Sequence, residues 1–378
     1  MYKNRICIIG DGLVGLSTAL SLSELNLTID LFCPKKNGKI SVDGRTTSIS
    51  PSNFQSLSKL IEKRHLEKFW PIRQVDLFKE SENGYFRFMK FEKDNKNIMH
   101  IIENNKFKEI FFRQIKKKKN IKIKNGIVTE INKQETSITF KKRKFFYDMV
   151  LLCTGKKSEL SKKFLGKRTI TKDSNEISIT TFVNHNKDIK DAKQYFFNEG
   201  PLAILPINPN KFSLVWSLNT KIHHLNIKNL INAKLTKIIG KQSKFKLAKI
   251  KSYPVSFKFN SNYSANNILI LGEASYNVHP IAGQGFNLVL RDIEKLKDEI
   301  TKFLGLGISI KNSLIIPNFL KNRKPENLIF GLGINFINNF FKYNKITDPA
   351  KRLILKSINE FKFFKRINLR ISDTGIFK

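Results

Sequence analysis

The feature that most constrains this chain is a glycine turn near its start. Gly10-Asp11-Gly12-Leu13-Val14-Gly15 lies between a β-branched run at Arg5 to Gly10 and a helically spaced segment at Leu13 to Leu25, and Thr28 to Cys33 is strand-like again. A G-x-G-x-x-G pattern is informative in this strand, turn, helix, strand context. There Gly10 permits the tight bend, Gly12 lets backbone approach a pyrophosphate, and Gly15 allows close helix-to-strand packing. The helix N-terminus adds a positive dipole facing the phosphate. The turn therefore predicts dinucleotide binding. In this fingerprint an acidic residue usually ends the second strand and binds the adenosine ribose, but counting from Gly10 places Cys33 there, with Asp30 too early. Cys33 reads as a small buried residue, which leaves the ribose contact open.

A second turn repeats the logic near residue 280. A buried strand at Ile268 to Leu271 leads into Gly272-Glu273, then a loop containing His279, Pro280, Gly283, Gln284 and Gly285, then a helix from about Gly285 to Phe303. A Gly-Gln-Gly turn at a helix start exposes backbone N–H groups suited to the electron-rich pyrimidine edge of a reduced flavin. An ordinary loop would not account for the crowding of Pro280, Gly283 and Gly285.

Between the two turns the chain changes character twice. From Phe111 to Gly155 it is basic, with alternating Ile121, Ile123 and Ile127, then Ile138 and Phe140, and the pattern predicts a helix end, a small antiparallel excursion through these residues, and a return to the main sheet at Met149 to Cys153. Lys116 to Lys119 reads as a solvated helix C-terminus, with nucleic-acid contact as the lesser reading. Ile177 to Phe257 is a second strand-rich region that includes Phe212 to Leu218, with turn signals at Gly200-Pro201 and Asn208-Pro209. After the second turn the sequence reads as basic, aromatic helices.

At 378 residues the chain can bury a substantial core. Cys7, Cys33 and Cys153 lack metal-ligand spacing, which argues against zinc and a disulfide framework and suits a reducing cytoplasm. The formal charge of +38 would attract nucleic acid or an anionic membrane face, yet Lys, Asn, Ile and Phe are all abundant, as AT-rich codons would produce. Asp11 and the early glycines argue against a signal peptide, and no apolar run is long enough to span a membrane.

The second turn is where the sequence becomes specific to a family. Leu271 to Leu288 resembles the flavin motif of the group A flavoprotein monooxygenases, and most of all that of the ubiquinone-biosynthesis hydroxylases. Gly44 to Ser50 resembles the early arginine motif of that family, Gly200 to Pro206 with Phe212 to Trp216 resembles its substrate-sheet signature, and Arg323 to Asn327 suits its C-terminal helix. The likeness runs from residue 5 to about residue 330. Three positions depart from it. Glu273 stands where the family usually has Asp toward the ribityl chain, Cys153-Thr154-Gly155 lacks the carboxylate of an Asp-Gly motif associated with NAD(P)H contact, and Cys33 replaces the ribose acid.

The resemblance implies an α/β (α+β) fold like that of para-hydroxybenzoate hydroxylase. It would comprise a discontinuous Rossmann-like FAD-binding domain (1–75, 100–175 and 260–305), an interleaved mixed-sheet substrate domain (76–99 and 176–259), and a basic helical region (306–378). Gly10, Gly12, Gly15, Arg45, Gly272, Glu273, Gly283, Gln284, Gly285 and Asn287 would bind FAD. His279 and Pro280 would stand at the chemistry, His279 either transferring a proton or shaping the flavin loop. The implied activity is hydroxylation of a lipophilic phenolic quinone precursor with O2, FAD and NAD(P)H as reductant. That explains why no Ser-His-Asp or paired-carboxylate set is needed. The alternatives are a related flavin oxidoreductase with another aromatic or isoprenoid substrate, and a catalytically degenerate flavin-fold scaffold of a quinone-synthesis complex. The expected location is the cytoplasm, peripheral on the inner membrane, with the Phe-rich basic stretch Phe361 to Arg370 either packing internally or lying on an anionic membrane beside other quinone-biosynthesis proteins. No nucleic-acid partner is expected.

Overall fold

The computed structural model describes residues 4–34, 44–81, 84–155, 158–165, 169–220, 226–260, 262–277, 284–312, 314–342 and 369–375. The first glycine turn follows β1 (Arg5–Ile9) and opens α1 (Leu13–Leu22), which returns to β2 (Thr28–Cys33). These belong to a six-stranded sheet in the order Ser264–Ala265, Ile268–Ile270, Met149–Leu152, β1, β2, Ile121–Asn125. Its pairings are parallel apart from the Ser264–Ala265 edge. Strands buried on both faces need continuous apolar runs, and the sequence supplies Ile6 to Ile9, Met149 to Leu152 and Ile268 to Ile270, all buried.

The helix α1 is buried along most of its length, from Gly15 to Leu22. Its small polar side chains satisfy themselves within the helix: the Ser17 hydroxyl donates to the Leu13 carbonyl (2.7 Å) and that of Thr18 to Val14 (2.7 Å). Such a helix can be packed on several sides, here by the Asn104–Lys116 and Gly285–Gly305 helices.

A nine-stranded, mainly antiparallel sheet forms the second layer. Its central strands are Thr169–His185, Lys211–Asn219, Gly200–Asn208 and Ala192–Phe197, extended by Gln74–Ser81 and Gly84–Glu92. The Thr169–His185 strand crosses the boundary expected at residue 175, and Tyr276–Asn277 pairs with this sheet too. One face carries Ile179, Val183, Leu202, Ile204, Phe212, Leu214, Trp216 and Leu218, packed under the Ile227–Ile239 helix. By strand alternation the intervening residues face the other way, toward the first sheet.

Two smaller three-stranded sheets complete the fold. Val128–Asn132, Ser137–Phe140 and Arg143–Phe146 form the expected antiparallel excursion. Ile121 and Ile123 do not belong to it: Ile121–Asn125 pairs in parallel with β2 as the edge of the main sheet. Alternating isoleucines are common to both kinds of half-buried edge, so the pattern alone could not separate them. Lys116 to Lys119 do lie at a helix C-terminus, largely in solvent. Among the described residues no helix is long and apolar enough to cross a membrane, and no cluster of His, Cys, Asp and Glu could hold a metal.

Candidate active site

A cavity of about 1440 Å³ lies between the two large sheets and is lined by both. That exceeds the usual range of about 300–1,000 Å³ for small-molecule pockets and has room for a dinucleotide beside a second ligand.

The nucleotide end is built from backbone. Gly10 has φ +129°, and a Cβ there would stand 2.4 Å from the Cys153 carbonyl oxygen; a Cβ on Gly15 would stand 2.0 Å from the carbonyl oxygen of Gly10. Both positions therefore demand glycine so that β1, the Cys153 strand end and α1 can meet. At Gly12 a Cβ would meet nothing within 4 Å. Gly12 lines the cavity at the N-cap of α1, where no side chain caps the helix. An uncapped helix start over open space, with the flanking glycines crowded by backbone, fits a pyrophosphate.

Cys33 ends β2 with 3% of its surface exposed. Burial, then the nearby Asp11 carboxylate, pushes its thiol up to about 12. Its neighbours Phe32 and Pro34 line the cavity together with Asp11. Asp30, the other acidic residue in β2, is fully buried, paired with Arg5 and accepting from the Tyr147 hydroxyl (2.9 Å). It is structural. Thr154, at the position without the expected carboxylate, shares a 2.6 Å hydrogen bond with the Ser161 hydroxyl at the cavity wall.

The second turn meets the start of α1. A Cβ on Gly272, at φ +83°, would lie 2.9 Å from a Val14 methyl, so glycine lets this loop close onto the first turn of α1. Beyond it Glu273 is exposed and lines the cavity. Gln284, Gly285 and Asn287 also line it at the start of the Gly285–Gly305 helix, which has no side-chain cap and no acidic residue in its first turn. That helix directs an unneutralised dipole at the cavity. Asn287 is almost fully buried; its Oδ1 accepts from the Ser50 N–H (2.9 Å) and Asn53 Nδ2 (3.0 Å), and its Nδ2 donates to the Ser48 carbonyl (3.1 Å). Asn287 thus fastens the helix start to the Thr46–Ile49 strand and the Pro51–Leu60 helix. His279, Pro280 and Gly283 lie outside the described residues.

Behind this turn, buried Asp292 accepts from the Tyr276 hydroxyl (2.5 Å), Arg323 Nε (2.7 Å) and Asn327 Nδ2 (3.0 Å). Burial first, then the Asp292 charge and hydrogen bond, pushes the Tyr276 phenol well above its ordinary value. The network fixes the strand and helix on either side of the second turn. It is also where Arg323 and Asn327 of the C-terminal helix act.

The sheet end is built from side chains. Pro201, Ala203 and Leu205 face the cavity while Leu202 and Ile204 enter the core, and Ser178, Thr180, Val215 and Ser217 continue the same small-residue surface. Toward the sheet edge Leu77, Phe88, Met89, Phe91 and Phe196 make it strongly apolar. Arg45 lies between the two ends with its guanidinium 4.8 Å from the centre of the Tyr253 ring, both lining the cavity. Of these, Tyr253, the serine and threonine positions and the edge aromatics carry no local sequence signature. The likeness of Gly200 to Pro206 and Phe212 to Trp216 to a substrate-sheet signature marked the sheet and not these residues.

No family model matches the chain. It is 28% identical over 193 residues to a mitochondrial ubiquinone biosynthesis monooxygenase of Dictyostelium discoideum, covering 40% of this chain and 38% of that protein. It is 26% identical over 235 residues to a ubiquinone hydroxylase of Rhodospirillum rubrum, covering 59% of this chain and 53% of that protein. Each match thus spans about half or less of the relative's length. Across the whole chain the p-nitrophenol 4-monooxygenase of Pseudomonas putida superposes with a TM-score of 0.80 at 15% identity, covering 100% of this chain and 99% of that one. The chain has the FAD-dependent monooxygenase fold and is similar to ubiquinone-biosynthesis hydroxylases. Within that fold, the glycine-built end and the small-residue sheet surface are two walls of one cavity.

Proposed function

We propose that this chain is an FAD-dependent monooxygenase that hydroxylates the ring of a lipophilic phenol in ubiquinone biosynthesis, consuming O2 and NAD(P)H. The observation that carries the reading is the single cavity whose one end suits a dinucleotide and whose other end is a sheet surface graded from small polar residues to large apolar ones. Similarity to ubiquinone-biosynthesis hydroxylases supports the choice of substrate class.

In this reading the start of α1 and the open edge at Gly12 hold the pyrophosphate, and Glu273 accepts from ribityl hydroxyls. The uncapped start of the Gly285–Gly305 helix faces the pyrimidine edge, held in place by Asn287. When bound, FAD supplies the redox chemistry with O2. The protein orients the ring. Ser178, Thr180, Ala203 and Ser217 leave space for a ring and offer hydroxyls to a phenol, while Phe88, Phe91 and Phe196 receive the hydrocarbon tail and keep that end dry. Among the described residues none is needed as a covalent nucleophile.

Purified protein should be yellow and retain FAD in stoichiometric amount. Deleting the gene should cause accumulation of a quinone precursor missing one ring hydroxyl, identified by mass spectrometry. A normal quinone profile would overturn the reading, and protein that retains no flavin with an altered profile would favour the scaffold. Membrane contact through Phe361 to Arg370 falls almost entirely outside the described residues. It is best tested by Lys362→Glu with Lys365→Glu in sedimentation with anionic vesicles, which should abolish binding.

A further inference from the structure

The last described residues, 369–375, return to the cavity from the C-terminus. Leu369, Ser372 and Asp373 line it. Leu369 packs with Ile72, Ile98, Ile101 and Ala192, at the junction of the nine-stranded sheet and the small Met99–Glu103 sheet. Asp373 faces the nucleotide half. Its Oδ1 accepts from the Ser52 N–H (2.7 Å), in the first turn of the Pro51–Leu60 helix, and its carbonyl accepts from the hydroxyls of Ser52 (2.6 Å) and Ser50 (3.3 Å). The Ser50 N–H in turn donates to Asn287, at the second turn. Arg291 Nη1 donates to the Ile371 carbonyl (3.4 Å). Gly375, at φ +98°, closes against Glu326 and Arg291 so tightly that a Cβ would stand 2.1 Å from the Glu326 carboxylate. A short segment is thus anchored to both halves of the molecule and to the buried Arg323 and Glu326 cluster, with its inner side on the cavity.

We propose that residues 369–375 form a third wall of the active site, in which Leu369 contacts the hydrocarbon part of the substrate and Asp373 is a positioning residue that caps the Pro51–Leu60 helix and keeps Ser50 on Asn287. The proposal rests on the flavin reading for the identity of the ligands, and its geometry stands apart from it. Asp373 suits the role because an acidic acceptor at a helix N-terminus satisfies an otherwise orphaned N–H and complements the dipole. Leu369 suits its role because it continues the apolar end of the cavity, in one cluster with Ala192 and Leu205 of the nine-stranded sheet and Ile72 and Ile101 of the smaller one.

The test uses the full chain carrying Leu369→Ala, Asp373→Ala or Asp373→Asn. The readouts are thermal melting, retained FAD, collisional quenching of bound flavin by acrylamide, and dissociation constants for 2-geranylphenol and for phenol from flavin absorbance changes. Leu369→Ala should weaken 2-geranylphenol about ten-fold, the loss expected for one apolar side-chain contact, and leave phenol unchanged. Asp373→Ala should raise the acrylamide quenching constant about two-fold or more by loosening the wall, at a cost of one helix cap. Asp373→Asn keeps an acceptor for the Ser52 N–H and should restore the native value. Equal weakening of both phenols by Leu369→Ala, or native quenching in Asp373→Ala, overturns the wall. If the unsubstituted chain retains no FAD, the flavin reading fails separately. Amide exchange then decides the wall: faster exchange in both Ala192–Phe197 and Pro51–Leu60 in the Leu369→Ala, Asp373→Ala double variant sustains it, and unchanged exchange overturns it.

Discussion

The two ends of the cavity are made by different means. At the nucleotide end the boundary is main chain: Gly10, Gly12 and Gly15 shape it by lacking side chains, and contacts of 2.0 and 2.4 Å for hypothetical Cβ atoms show how little slack there is. At the sheet end the boundary is side chains on alternate positions of many strands, small in the middle and aromatic at the edge. A backbone-built site has few acceptable sequences and fails by not folding. A side-chain-built site has many acceptable sequences and changes by altering what it binds.

The sharpest break of this contrast is within one turn. Gly15→Ala should cost about 4 kcal/mol or more, because the new methyl must displace the Gly10 carbonyl rather than a flexible side chain. Gly12→Ala should change stability by no more than about 0.5 kcal/mol, since its φ of −75° and ψ of 173° suit any residue and its surroundings are open. It should nevertheless weaken FAD about ten-fold by keeping phosphate off the backbone. Urea unfolding and flavin titration of the two variants separate folding from binding. Equal stability losses would mean that Gly12 is structural as well.

The next test strikes the joint between the ends. His100 sits in the Met99–Glu103 strand, stacked on Phe54 with ring centres 3.7 Å apart, and its Nδ1 is buried without a partner. Burial lowers its pKa to about 4. Because the folded value lies below the unfolded value of about 6.5, the unfolded chain takes up the proton first as pH falls. This contribution is fully present above about pH 6.5 and is lost between there and pH 4, by roughly 2–3 kcal/mol. His100→Phe should remove that part of the pH dependence, measured as the difference between variant and native chain in urea unfolding at pH 7.5, 5.5 and 4. A glycine variant harms one end, whereas protonating His100 should loosen both.

The same contrast explains what could be read in the sequence. Turns that need glycine at fixed offsets leave a local signature, so the first turn, β1, α1, β2 and the helix beginning at Gly285 were all legible. So was the similarity to ubiquinone-biosynthesis hydroxylases, through the second turn. Ile121 and Ile123 were misassigned because an edge strand of a parallel sheet and a strand of a small antiparallel sheet share one alternation; only the pairing with β2, about 90 residues away, decides it. Asn287 could be named from its motif, but not its bonds to Ser48, Ser50 and Asn53, which join segments more than 230 residues apart. Leu369 and Asp373 had no signal at all. A leucine and an aspartate in a basic tail look alike whether they are in solvent or on a cavity wall.

A smaller effect is expected at the sheet end. Thr180 is 3% exposed, lines the cavity, and its hydroxyl oxygen has no hydrogen-bond partner. An unmatched buried hydroxyl is a cost to the free protein, so Thr180→Val, nearly the same shape, should stabilise the chain by about 1 kcal/mol in urea unfolding. The same change should weaken phenol relative to toluene, because a hydroxyl awaiting a ligand is worth retaining only if the ligand can bond to it. Gained stability with no change in that ratio would make Thr180 a packing residue. The sheet end would then select by shape alone.

The smallest expected effect concerns a place where the nucleotide end uses a side chain. Cys33 occupies the position of the usual ribose acid but is buried, whereas Asp11 lines the cavity close enough for its charge to add to burial in lifting the Cys33 thiol to about 12. Two outcomes follow from the position of that carboxylate. If it faces the adenosine ribose it accepts hydrogen bonds from the hydroxyls, and Asp11→Asn should weaken FAD roughly five-fold while leaving FMN, which has no adenosine, unaffected. If it faces the pyrophosphate it repels it, and the same substitution should tighten FAD instead. Its proximity to the end of β2 favours the ribose side, so weaker FAD binding with unchanged FMN binding is the expected result. Tighter binding would show that Asp11 is not a ribose acid and that its charge opposes the pyrophosphate.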